Sequence, residues 1–210
     1  VQKSARLATS HIVYSLGRKG AEVLAKNAEE REGIFRRVRE NVHTLPLIAH
    51  SLMISQFRVC LMLALKQQSD IKLTRWVQGN DLKSALSRRG ANPPLVADAF
   101  FVLETPTHKY PCFLEADRAT MTQERFVSKL RMYWRHNREQ SFKETLGVSH
   151  FRVLTIAPHE KRTENLCCAA KDADERREGS LMYLFISETR YNVKTSEALL
   201  KATWKSPKDD

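Results

Sequence analysis

Apolar residues recur along this chain in two rhythms, one helical and one alternating. From Pro46 to Gln67, Leu47, Met53, Ile54, Phe57, Leu61 and Leu65 fall at near-helical spacing behind a proline suited to a first turn. This predicts a long buried helix. Ile71–Val77 (IKLTRWV) alternates as a half-buried strand does, and a polar turn with a short helix follows through Arg89. Asp98–Leu103 (DAFFVL) and Tyr110–Asp117 are denser apolar runs separated by Thr105-Pro106-Thr107, which predicts a hairpin. Met121–Arg138 returns to the helical rhythm, with Thr122 as N-cap, Phe126, Leu130 and Tyr133 as the inner stripe, and Trp134 widening it. Phe151–Ala157, Lys161–Lys171 and Leu181–Ser187 then read as strand, helix and strand. A helix set between two buried strands implies a crossover. The pattern predicts an α/β fold, a mixed sheet flanked by helices.

Upstream, His11–Lys26 (HIVYSLGRKGAEVLAK) holds a short β-rich run, Ile12–Leu16, then Gly17 and Gly20 in a basic turn, then a helix. This resembles the wing end of a winged-helix module, in which Arg18 and Lys19 would contact DNA. An ordinary hairpin leading into a helix fits the stretch equally well. No recognition helix precedes it, and the opening at Val1, without Met and in mid-element, reads as a trimmed or fragmentary N-terminus. Asn27–Asn41 is a charge-dense helix or linker. The division predicted is a partial winged helix with charged linker at 1–45, an α/β domain at 46–194 and a polar tail at 195–210.

Composition narrows the function. The 210 residues carry a formal net charge of +11, which favours polyanionic partners, nucleic acid first among them, although a basic surface that binds nothing gives the same total. The longest apolar stretch, Leu45–Leu65, is interrupted by His50, Gln56 and Arg58, so a buried helix is expected in place of a membrane span. Cys60 and Cys112 sit inside apolar runs, and Cys167 and Cys168 are adjacent without a metal-binding spacing. Reduced thiols in a cytoplasmic protein are the simple reading. No phosphate-cradling glycine loop and no Ser-His-Asp or Cys-His arrangement is present. Trp76, Tyr133 and Trp134 stand at core spacing and are assigned to packing.

The chemistry concentrates in Tyr110–Thr120 (YPCFLEADRAT), where an apolar strand ends in Glu115, Asp117 and Arg118. Alternation puts both acids on one face. If Asp98–Leu103 pairs antiparallel with this strand, Asp98 approaches Glu115, and the three carboxylates would suit a magnesium ion. Acids paired with a nearby Arg118 or Arg131 are the structural alternative. The next helix sets Arg125, Lys129, Arg131, Arg135 and Arg138 against Glu124; Lys129 borders the inner stripe, from which it could reach over the strand ends towards Glu115.

The stretches FFVLE, YPCFLEADRATMTQERFVSKLRMYWR and FRVLTIAPHEKRTENL, with HSLMISQFRVCLMLAL and YSLGRKGAEVLA upstream, resemble the replication-relaxation family of plasmids and mobile elements. The likeness runs from about His11 to Ser187 and is most specific from Phe113 to Arg135. It implies a winged helix followed by a restriction-endonuclease-like domain of the PD-(D/E)xK type, acting on plasmid duplex DNA, with a homodimer or a replication protein as further partner. By position, Asp98 and Glu115 would be the first and second acids, sharing magnesium with Asp117. Asp117 stands where the motif has lysine, and Ala97 where it has proline. Lys129 would replace the motif lysine, and Arg118, Arg125, Arg131 and Arg135 would meet DNA. Two activities stay open: magnesium-dependent nicking by Asp98, Glu115, Asp117 and Lys129, or non-catalytic DNA binding on a degenerate nuclease fold.

Overall fold

The computed structural model describes residues 2–6, 12–25, 31–35, 45–87, 95–173, 179–201 and 203–208. Two compact units divide after Leu52. In the first, β1 (Gln2–Arg6) pairs antiparallel with β2 (Ile12–Ser15), and α1 (Arg18–Leu24) follows Gly17. Arg18 and Lys19 are exposed, and the Arg18 guanidinium lies 5.7 Å from the Phe35 ring centre, a cation–π contact. The β-rich run and following helix therefore exist, with an upstream strand supplying the hairpin. Most of the charged stretch Asn27–Asn41 lies outside the described residues, as does Arg89.

The unit division falls inside α2 (Leu45–Lys66). After it come β3 (Lys72–Gln78), α3 (Gly79–Leu86), β4 (Ala99–Glu104) and β5 (Lys109–Ala116). They are followed by α4 (Gln123–Arg138), β6 (Arg152–Ala157), α5 (Glu160–Ala170) and β7 (Tyr183–Ser187). The sheet order is β3-β4-β5-β6-β7. The first three strands form an antiparallel meander, whereas β5, β6 and β7 run parallel, because α4 and α5 carry the chain back over the sheet between them. This is the mixed sheet that the alternation of patterns predicts.

Helices cover both faces. On one, Leu82, Phe126, Leu130 and Leu166 from α3, α4 and α5 pack with Phe100, Phe113, Val153 and Phe185. On the other, Met53, Phe57, Cys60 and Leu61 of α2 meet Phe101, Leu114, Ile156 and Ile186. Phe113 anchors the first layer: the rings of Phe100, Tyr133, Phe142 and Phe151 have centres 4.8–5.5 Å from its own.

One expectation stands beside a further fact, and one needs correcting. Ile48–Lys66, with a mean hydropathy of 1.6, is long and apolar enough to cross a membrane despite its polar interruptions. Leu52, Val59 and Met62 on it are exposed, while Met53, Phe57, Cys60, Leu61 and Ala64 are buried. The stretch 195–210 is also more than a polar tail. Ser196–Leu200 forms a 3-10 helix, Leu199 is buried, and Trp204 packs against the α2 layer. Lys205 exchanges backbone hydrogen bonds of 2.8 and 2.9 Å with Phe185 at the edge of β7. Gly179, at φ 76°, closes this contact: a Cβ there would lie 2.6 Å from the Pro207 carbonyl oxygen. Sparse apolar residues among many polar ones carry no periodicity, so this packing has no signature in the sequence.

Truncating Phe113 removes the ring shared by those four aromatic contacts. Phe113→Ala should cost about 3–5 kcal/mol, read as a lower urea midpoint with unchanged slope.

Candidate functional site

The β4–β5 ladder brings Asp98 to Glu115. The Asp98 backbone N–H donates to the Leu114 carbonyl at 3.2 Å, and its Oδ2 accepts from the Ala116 N–H at 2.8 Å. The strand residue between those two contacts is Glu115, whose side chain shares the Phe113 face and meets α4. Lys129 and Tyr133 lie one helical turn apart on α4, so both reach the same place. Lys129 Nζ donates to Glu115 Oε2 at 2.5 Å, and the Tyr133 hydroxyl donates to Oε1. Each carboxylate oxygen thus has its own donor.

Glu115 is 5% exposed. Burial pushes its carboxyl up to about 7; the Lys129 ammonium opposes that, and the charge of Asp98 adds to it. The Tyr133 hydroxyl is raised well above the usual phenol range by burial and then by the Glu115 charge. Thr155 stands beside Glu115 in the parallel β5–β6 ladder, and its buried hydroxyl makes no hydrogen bond. Tyr133 was legible as core from its spacing, but periodicity says nothing about its hydroxyl. Thr155 carried no signal beyond being a polar residue in an apolar strand.

Asp117 does something different from what the shared face predicts. It lies just past β5, where its N–H donates to the Ile156 carbonyl at 2.9 Å. Its carboxylate is held bidentately by Arg162 from α5, Nε at 2.7 Å and Nη2 at 3.1 Å, and Oδ2 also accepts from the Ala119 N–H at 3.0 Å. Arg162 Nη2 donates to the Met121 carbonyl at 2.9 Å as well. Ala119 has φ 57°, a left-handed conformation that costs a non-glycine residue of order 1–2 kcal/mol. Asp117 and Arg162 thus pin a strained turn at the end of the strand.

The partners of Glu115 and Asp117 are Lys129, Tyr133 and Arg162, in place of the expected Arg118 or Arg131. Arg118 is exposed; its charge holds down the Glu188 carboxyl, which burial raises. Arg131 donates twice to the Asp172 carbonyl, at 3.2 Å each, tying α4 to the turn after α5. Arg125 and Arg135 are exposed on α4. Among the described residues no three His, Cys, Asp or Glu side chains form a group able to hold a metal. With Asp117 engaged by Arg162, the expected three-acid set reduces to Asp98 and Glu115.

Fold and site define a mixed α/β protein with a buried carboxylate, clamped by lysine and tyrosine, at the exit of a central strand. The chain belongs to the replication-relaxation family, whose family model matches residues 1–158. This membership points to a role in plasmid replication and relaxation. No curated protein and no solved structure matches it. The matched region contains Asp98, Glu115, Lys129, Tyr133 and Thr155, and stops before Arg162.

The unfolded Glu115 carboxyl ionises near 4.5 and the folded one at about 7, so between those values the folded chain holds the extra proton. The stability this group contributes is complete below pH 4.5, declines as pH rises to about 7, and is level above. Glu115→Gln should flatten that part of a stability–pH profile measured by urea unfolding. Arg162→Ala leaves Asp117 buried without a cation and should cost about 3–5 kcal/mol, whereas Asp117→Asn combined with Arg162→Met should cost less.

Proposed function

We propose that this protein binds plasmid DNA and cleaves one strand of it at the Asp98–Glu115–Lys129 cluster. The observation that carries the reading is the convergence of Asp98, Glu115 and Lys129 at the end of β5, with Lys129 supplied by the following helix. The element order supports it: α2, the antiparallel β3–β4–β5 meander, α4, and β6 parallel to β5 follow the arrangement of a restriction-endonuclease-like core. The acids stand at the start of β4 and the end of β5, as that core would require.

Two carboxylates are enough for a hard divalent cation that keeps several waters, and their oxygen donors suit magnesium. Asp98 and Glu115 would hold it, and when bound it would polarise the phosphodiester and acidify a water. Lys129 places positive charge where charge builds on the phosphate in the transition state. Tyr133 fixes the rotamer of Glu115 by holding Oε1. Asp117 takes no part in the chemistry; it and Arg162 shape the turn beside the cluster. The exposed Arg118 and Arg125 offer phosphate contacts near this end of the sheet, Arg135 offers one further along α4 towards the start of β6, and Arg18 and Lys19 offer them on the β1–β2–α1 unit, the winged-helix remnant of this reading.

A second reading rests on the same contacts. Lys129 already neutralises Glu115, and Asp117 replaces the motif lysine and is consumed by Arg162, which fits a DNA-binding scaffold that has lost cleavage. Supercoiled plasmid incubated with protein and magnesium separates the two. Nicking that falls at least a hundredfold in Glu115→Gln and in Lys129→Met supports cleavage. Nicking equal in wild type and in Asp98→Asn/Glu115→Gln would sink it and leave the scaffold. In both readings affinity for duplex should fall steeply with salt, and Arg125→Ala/Arg135→Ala should reduce that slope.

A further inference from the structure

At the opposite end of the sheet, where β5, β6 and β7 begin, lies an open cleft of about 320 Å³. Its floor is apolar, formed by the buried Phe151 and Met182. Its walls are the exposed Tyr110 and Leu181, at 38% and 50% exposure. Lys109 and Arg152, both exposed, stand on the rim with His150, and among the described residues no carboxylate lines the cleft. Lys109 pairs with Glu104, 3.7 Å away, in a solvent-exposed contact that a stronger anion can replace.

Phe151 and Met182 belong to the core layer, whereas Tyr110 and Leu181 are left open to water at its edge. An aromatic ring and a leucine open to water beside two cations suit a ligand that is flat and anionic. A nucleotide is such a group: its base has a π-face for the tyrosine and an apolar floor, and its phosphate suits lysine and arginine. The volume suits one nucleotide, and the open cleft, with a single exposed aromatic ring, suits an unpaired base over a stacked pair. Tyr110 is five positions before Glu115 on the same strand, about 16 Å at roughly 3.3 Å per residue, so the cleft is separate from the acidic cluster.

We infer that this cleft binds one unpaired nucleotide of single-stranded DNA, with the base stacked on Tyr110 and the phosphate held by Lys109 and Arg152. The inference rests on the DNA-binding part of the proposed function and is independent of cleavage. The test is fluorescence anisotropy with a short fluorescein-labelled oligothymidylate and, separately, a labelled duplex. Tyr110→Ala should weaken oligothymidylate binding about tenfold or more, Tyr110→Phe should restore it, and duplex affinity should not move. Lys109→Ala/Arg152→Ala should lower the salt slope for oligothymidylate. A strand carrying 5-iodouracil should photocrosslink to Tyr110. Oligothymidylate affinity unchanged in Tyr110→Ala, crosslinks confined to α4, or equal displacement by a polyglutamate peptide would each overturn the assignment. Those outcomes leave duplex affinity and nicking, and so the proposed function, untouched; loss of duplex affinity itself would tell against both.

Discussion

Most of the architecture around the candidate site follows from one requirement, that the Glu115 carboxyl be buried without being stranded. An isolated carboxylate beneath a helix would be far too costly. Here Lys129 and Tyr133 come from successive turns of α4, each satisfying one oxygen. That demand fixes the rotation of α4 about its axis, since only one face presents both groups. The same rotation delivers Phe126 and Leu130 to the sheet, so polar and apolar requirements agree. Consistency of this kind specifies a single packing.

Two residues further on the same problem is solved by different means. Asp117 also leaves the strand into a crowded place, but its cation comes from α5, and the guanidinium takes both oxygens. Each acid thereby fastens a different crossover helix to the end of β5. The division also separates two kinds of behaviour. Glu115, held by a single ammonium and a phenol, titrates near neutrality, whereas Asp117 is locked into a turn whose backbone is already strained. An acid clamped by one helix and an acid that holds the shape of a turn thus sit side by side.

How much of this was legible depends on the sequence distance of each contact. The sheet and its covering helices could be read from the alternation of apolar residues, and the Asp98–Glu115 approach from the hairpin, because both are local. The reach of Lys129 was legible as a position beside the inner stripe of α4. Arg162 was not, because its pairing with Asp117 spans 45 residues and depends on where α5 lands after β6. Arg118 and Arg131 looked nearer in sequence but face Glu188 and a main-chain carbonyl. The C-terminal packing was hidden for another reason: Leu199 and Trp204 are single anchors in a polar stretch, and their burial is decided by the groove they meet.

The backbone exchange between Lys205 and Phe185 bears on the order in which the protein is made. The direct hydrogen bonds of the acidic cluster all lie within residues 98–133. The rim of β7 waits for Lys205, which is synthesised after the strand it pairs with, so a nascent chain holds the cluster beside an uncapped strand. During that interval the unpaired edge is open to another chain, and aggregation competes with completion of the fold. Slow translation past β7 would therefore threaten solubility before it threatened the cluster.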